Sequence, residues 1–169
     1  MEVRRVRIGE APAFRALRLQ ALRDHPADFG SDYETTVTRP LAFFVGQLAD
    51  NVVMGAFEGG ELVGIVGLLF NSNVKERHRA YLWGVYVAPS GRRGAVARPL
   101  MAEALRVAFG RVEQVELNVR VGNGPAQALY AGLGFVGCGG LPGVHKVDGV
   151  LYDDEMMVLG REEWLSTGT

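Results

Sequence analysis

The order of elements predicts a mixed α/β (α+β) domain, with a mostly antiparallel central sheet of about seven strands flanked by about four helices. Three observations carry this expectation. Gly59-Gly60 separates two apolar runs and marks a hairpin, because glycine supplies the positive φ angles a two-residue turn demands. Two segments, 95–109 and 123–133, carry apolar residues at helical spacing directly after strand-like runs. The order strand, two helices, three strands, helix, strand, helix, strands also departs from the strict alternation of a doubly wound sheet.

Residues 3–8 read as the first strand, and 12–23 as a helix with Phe14, Leu17, Ala21 and Leu22 on one face and Pro12 in its first turn. Residues 24–33 are loop-like, and 40–49 form a second short helix. Residues 52–58 and 61–70 are the hairpin strands. The next strand, 81–87, contains Gly84, which signals a bulge or a close backbone approach. The helix over 95–109 presents Val96, Leu100, Ala104 and Val107 on one face, and a strand follows at 114–119. The helix over 123–133 stops at Gly134, since glycine tolerates the left-handed cap conformation. Phe135 and Val136 open a strand, a Gly/Pro-rich connection follows, and 151–159 returns as the last strand.

With 169 residues, 48% hydrophobic and 22% charged, the chain can bury one proper core and is expected to form one domain over residues 1–169. A net charge of −1, with Lys75 and Lys146 the only lysines, does not favour a nucleic-acid partner. Cys138 is the only cysteine, which excludes an intramolecular disulfide and a thiol-rich metal site and fits a reducing cytoplasm. The N-terminus lacks an apolar signal core, and no run of about 18 apolar residues occurs, so neither export nor membrane insertion is expected.

Two junctions can do chemistry. At residues 85–100 (V-Y-V-A-P-S-G-R-R-G-A-V-A-R-P-L) a strand runs through a Gly/Arg turn into a helix, so several amides and the helix dipole converge on one spot suited to an anion. Pro99 must stay in the first turn of that helix, which places its start near Ala95 or Val96 and the free amides around 94–97. A solvated basic face formed by Arg92, Arg93 and Arg98 explains the same residues equally well. Neither a Walker A motif nor G-x-G-x-x-G is present. The second junction, 117–137, places Asn123 before Gly124-Pro125 as an N-cap. Ala126, Leu129, Tyr130 and Leu133 then share one helix face, which makes Tyr130 a core aromatic unless its hydroxyl has a further task.

Taken together, W-G-V-Y-V-A-P, the Arg/Gly turn and helix, L-N-V, N-G-P-A, A-L-Y and L-G-F resemble the GNAT superfamily of N-acetyltransferases, over nearly the whole chain. The resemblance implies a GNAT-like sheet with splayed central strands, and transfer of an acetyl group from acetyl-CoA to a primary amine of a small molecule or protein. It implies that the backbone of Val85, Tyr86 and Val87 holds the acetyl carbonyl and the start of the pantetheine. The backbone amides of Arg92, Arg93, Gly94, Ala95, Val96 and Ala97 would bind the pyrophosphate, with Arg98 a further cofactor contact. Asn123 and Ala126 would contact the cofactor, and Tyr130 would protonate the departing thiolate. No metal is implied, and a homodimer is compatible with the fold. A phenol of pKa about 10 is protonated at neutral pH and suited to that acid role.

The turn departs from the family's pattern at one place: Ala95 stands at the first glycine position, Ala97 fills the second, and Gly94 is displaced by one. Alanine resists positive φ and brings a Cβ to the cradle. The strand 81–86 also offers no carboxylate base. Glu34, His78, His145, Asp153 and Asp154 are the alternatives, each also readable as an exposed loop residue. These departures motivate a rival reading, a non-catalytic acyl-CoA-binding or regulatory module. Asp153, Asp154 and Glu155 read as a strand end with solvated charges or, if they border the acceptor groove, as favouring a cationic amine such as a polyamine, an aminoglycoside or a protein N-terminus, and Phe29, Trp83 and Tyr86 line that groove or belong to the core.

Overall fold

The computed structural model describes residues 1–91 and 95–167. Seven strands form one sheet in the order β1-β2-β3-β4-β5-β7-β6. In chain order these are β1 (Glu2–Arg5), β2 (Val52–Glu58), β3 (Glu61–Phe70), β4 (Arg79–Val87), β5 (Gln114–Arg120), β6 (Val136–Val147) and β7 (Val150–Gly160). The helices are α1 (Ala11–Asp24), α2 (Tyr33–Val37), α3 (Leu41–Asp50), α4 (Ala97–Phe109), α5 (Gly124–Gly132) and α6 (Arg161–Ser166). Four of them, α1, α3, α4 and α5, are the expected ones. The other two are single short turns, capped at α2 by the Asp32 side chain, which accepts the Thr35 N–H at 2.7 Å.

Pairing is antiparallel throughout except between β4 and β5. The Gly59-Gly60 turn has φ of +58° and +86° and joins Glu58 to Glu61, the two-residue hairpin geometry glycine permits. Asp148-Gly149, at +49° and +82°, repeats it between Val147 and Val150. The Gly/Pro-rich segment expected as a connection is instead β6 itself. Its ladder with β7 tolerates the glycines through register shifts between Gly137 and Gly139 and between Leu141 and His145.

The sheet has two cores. On one face α4 and α5 pack Leu100, Met101, Leu105, Tyr130 and Leu133 onto Val66, Leu68, Leu82 and Leu117. On the other, α1 and α3 pack Phe14, Leu17, Phe44 and Leu48 onto Val53, Ile65 and Tyr86. Gly67 is paired with Trp83 across β3 and β4, and the indole lies where a Cβ at 67 would stand. Gly67→Ala is therefore expected to displace Trp83 and cost about 1–3 kcal/mol. Thermal unfolding and tryptophan emission check this, and unchanged values in both would contradict it.

Candidate active site

The central pair of strands separates. β4 and β5 are in register only at Arg79↔Gln114, Ala80↔Val115 and Tyr81↔Glu116, while β5 stays paired with β7 along its whole length. Beyond Tyr81 the two strands diverge and a cleft of about 1360 Å³ opens between them. It is walled by β4, by the end of β5, by the start of α5, and by the loop through Asp28–Ser31.

β4 is re-aimed where the cleft begins. Between the pairs Gly67↔Trp83 and Ile65↔Tyr86, two residues of β4, Gly84 and Val85, face the single Val66 of β3. Gly84 takes φ +65°, which the missing Cβ makes accessible. The extra residue flips the face of everything after it. Ala80 and Leu82 belong to the α4/α5 core, and Val85 and Val87 return to that same side, while Trp83 and Tyr86 join the α1/α3 core. Tyr86 thus sends its side chain away from α4 and α5, and its hydroxyl donates to Asp24 at 3.3 Å. Of the residues expected to hold a cofactor on this strand, all three line the cleft; the Val85 and Val87 side chains pack on the α4/α5 side of the sheet and that of Tyr86 on the other.

At the cradle, Arg92, Arg93 and Gly94 lie outside the described residues. Ala95 has φ +53°, the conformation alanine resists, at the first glycine position of the pattern. α4 begins at Ala97, two residues later than the earliest start expected, with Pro99 in the first turn. Val96 is a buried core residue that also lines the smaller recess beside the cleft. The exposed Arg98 donates to the Gly132 carbonyl at 3.2 Å and so ties the start of α4 to the end of α5. A second, smaller recess of about 270 Å³ lies between Val87, Ala95, Ala97, Arg98 and Leu129 and shares Val87, Ala97 and Leu129 with the main cleft.

α5 is built to hold Tyr130 still. Asn123 caps the helix, its side-chain oxygen accepting the Ala126 N–H at 3.3 Å, and both residues line the cleft. At the other end Gly134, at φ +97°, donates to the Ala131 carbonyl, and Phe135 donates to Tyr130 at 3.1 Å. These are the two bonds of a Schellman motif, whose usual apolar contact is here the edge-to-face pair Tyr130–Phe135 at 5.9 Å between ring centroids. The A-L-Y…L-G-F sequence is one device: the C-terminal cap of the helix clamps the tyrosine that faces the cleft. Tyr130 is both a core residue and a cleft residue, and burial pushes its pKa above the ordinary value, with the Asp28 and Tyr81 charges adding to the rise.

Of the five candidate bases, Glu34, His78 and Asp153 are exposed and away from the cleft; Asp153 accepts the Gly143 N–H at 2.7 Å. His145 and Asp154 come together in it. Asp154 is buried, its Oδ2 lies 3.4 Å from His145 Nε2, and its Oδ1 has no hydrogen-bond partner among the described residues. Burial raises the Asp154 pKa, an effect the adjacent His145 partly opposes. Glu155 accepts from Gln127 at 3.2 Å and takes no part in lining the cleft, so the acidic run of the sequence sends one carboxylate there.

Arg18 was hidden in the pattern of α1. It falls among Phe14, Leu17, Ala21 and Leu22 on the apolar stripe, and it is 6% exposed. An arginine inside such a stripe is the signal that finds it. Its guanidinium lies 5.0 Å from the Phe29 ring and 5.6 Å from Trp83, and a Cβ on Gly84 would stand 3.3 Å from Nη1. Phe29 and Trp83 thus frame a cation at the bulge.

Among the described residues no group of His, Cys, Asp and Glu is placed to hold a metal ion, and no helix is long and apolar enough to cross a membrane. The mixed sheet is splayed between its fourth and fifth strands, with the start of α5 on the facing wall. The chain belongs to the GNAT acetyltransferase family, whose model matches residues 17–135. Its fold is similar to that of the ribosomal-protein-alanine N-acetyltransferase of Brucella melitensis, at 26% identity, 95% coverage of this chain, 99% of that one and a TM-score of 0.79. A GNAT-family acetyltransferase of Streptococcus pneumoniae is similar at 21% identity, 94% and 98% coverage and a TM-score of 0.81. The Salmonella typhimurium protein yncA, solved with its cofactor acetyl-CoA, is similar at 20% identity, 95% and 93% coverage and 0.75. No curated protein sequence matches the chain.

Proposed function

We propose that this protein transfers an acetyl group from acetyl-CoA to a primary amine by direct attack in a ternary complex. The observation that carries the reading is the splay of β4 from β5 at a bulge, with Tyr130 on the facing helix. From Leu82 to Val85 the β5-facing edge of β4 has no strand partner, and the peptide-like pantetheine arm completes it as a partial strand. The cleft exceeds the range of about 300–1,000 Å³ usual for one small ligand, as a site for two substrates requires.

Acetyl-CoA supplies the acetyl group as a thioester. Attack by nitrogen builds negative charge on the carbonyl oxygen, which a backbone N–H at the Gly84–Val85 bulge stabilises. Asp154, raised in basicity by burial and held by His145, takes a proton from the incoming ammonium before attack. The C–N bond then forms and the C–S bond breaks. The thiolate takes the Tyr130 proton as it leaves, the second nitrogen proton returns through solvent to the Tyr130 phenolate, and Asp154 releases the first to solvent, so one proton leaves overall. Burial keeps the Tyr130 phenol protonated at neutral pH, the form that can donate.

A thermal shift with acetyl-CoA and with CoA, followed by thiol release over a panel of amines, tests the proposal. Stabilisation by both ligands with release on one amine class is expected. Stabilisation with no release on any amine would make the protein a non-catalytic acyl-CoA-binding module, and no stabilisation would exclude both readings.

Ala95 provides a second check on the cofactor site. Relieving an alanine at φ +53° is worth about 1 kcal/mol. Ala95→Gly is expected to tighten acetyl-CoA binding severalfold and to raise the melting temperature slightly. Calorimetric titration giving weaker or equal affinity would show that the cradle is not strained.

A further inference from the structure

We infer that the acceptor amine carries a carboxylate close to its nitrogen, and that Arg18 recognises it. The inference rests on the acetyltransferase reading for the identity of the amine, but not for the anion site itself. Arg18 is 6% exposed and lines the cleft, and its Nη1 is inaccessible with no hydrogen-bond partner among the described residues. The two carboxylates that line the cleft are engaged elsewhere: Asp28 holds Arg120 and lies 3.7 Å from His25, and Asp154 faces His145. Burial alone lowers the Arg18 pKa to about 10, with no neighbouring carboxylate raising it, so the group still carries its charge at neutral pH.

A buried cation without a counter-ion is costly, and its cost is recovered when an anion arrives to pair with it. With Nη1 shut against Gly84, the guanidinium meets a carboxylate through its remaining N–H groups, and the Phe29 and Trp83 rings beside it suit a flat, singly charged partner. A phosphate dianion would call for more donors than this one arginine. Position then limits the spacing within the acceptor. Nη1 lies against Gly84, next to Val85, where the acetyl carbonyl is placed by the proposed function. The amine and the carboxylate must therefore lie within a few bonds of one another, as in a small amino acid. A protein N-terminus presents an amide carbonyl at that place and leaves the cation unpaired.

The test compares amino acids with their amides in two measurements. In thiol release, the unmodified protein is expected to favour acid over amide by at least about tenfold in kcat/KM, and Arg18→Met to collapse that ratio toward one. In thermal shift with CoA present, the free acids are expected to stabilise the unmodified protein more than the amides do, and not the variant. Arg18→Met is also expected to raise the melting temperature, since it removes an unpaired buried charge while filling the same space. Equal handling of acids and amides, an acid preference that survives in the variant, or a variant that melts lower would each overturn the inference. Acid-specific stabilisation through Arg18 without thiol release on any amine would uphold the anion site and reject the acetyltransferase reading.

Discussion

Replacing Tyr130 by phenylalanine is expected to lower kcat by about 10²-fold, the usual contribution of a positioned proton donor. The substitution removes one oxygen and keeps the ring that packs edge-to-face on Phe135, so the Schellman clamp at the end of α5 should survive. Acetyl-CoA affinity is expected to stay nearly constant, because the cofactor contacts assigned to this wall come from backbone and from Asn123 and Ala126. Separate measurements of single-turnover thiol release and of cofactor binding distinguish the two effects. Unchanged turnover would remove Tyr130 from the acid role and leave it as a core aromatic.

Asp154→Asn is expected to move activity and stability in opposite directions. As the base, Asp154 should contribute about 10²- to 10⁴-fold to kcat/KM, and the acid limb of the pH–rate profile should disappear with it. Its pKa is raised on folding above the ordinary 3.8 by burial. Below 3.8 the group is protonated in both states and has no effect on stability. As pH rises past that value the unfolded chain ionises first, so the group progressively destabilises the fold, and the penalty is complete above the folded-state pKa. The D154N variant should therefore melt higher than the unmodified protein at neutral pH, with the difference shrinking toward pH 4 and below. A variant that is both inactive and less stable at pH 7 would assign Asp154 to a structural pair with His145.

This opposition is common at working sites, where a group is held in an environment that disfavours its charge. Arg18, Asp154 and Tyr130 all show it, each buried beside one cleft with its pKa displaced by the loss of water. A cluster of such groups is a stronger pointer to chemistry than any of them alone.

The elements that were legible in sequence are those whose signals are local. The Gly59-Gly60 hairpin, the Asn123 cap and the Gly134 stop depend on a few neighbouring residues, and their geometry follows from the conformations those residues can adopt. Gly84 was legible as a close approach, but not which group approached it: that is Arg18, 66 positions earlier in the chain, on another element. β6 is legible only where it opens, because its glycines weaken the strand signal beyond Val136, while its pairing with β7 is enforced by the Asp148-Gly149 turn and by the ladder.

The base shows the same division. Five candidates look alike in the sequence, since each reads as an exposed polar loop residue. Only folding separates Asp153 from Asp154, because alternate residues of a strand face opposite sides of the sheet. One carboxylate is thereby exposed and the other buried beside His145.

The sequence by itself determined the family, the helix that carries Tyr130 and the turn that Ala95 strains, because caps, turns and helical stripes are written in residues near one another. Only the tertiary structure decided which charges share the cleft. Burial, and the pairing or isolation of a charge, are properties of residues brought together from distant parts of the chain, and Arg18, His145 and Asp154 acquire theirs only when α1, β6 and β7 close around the splayed strands.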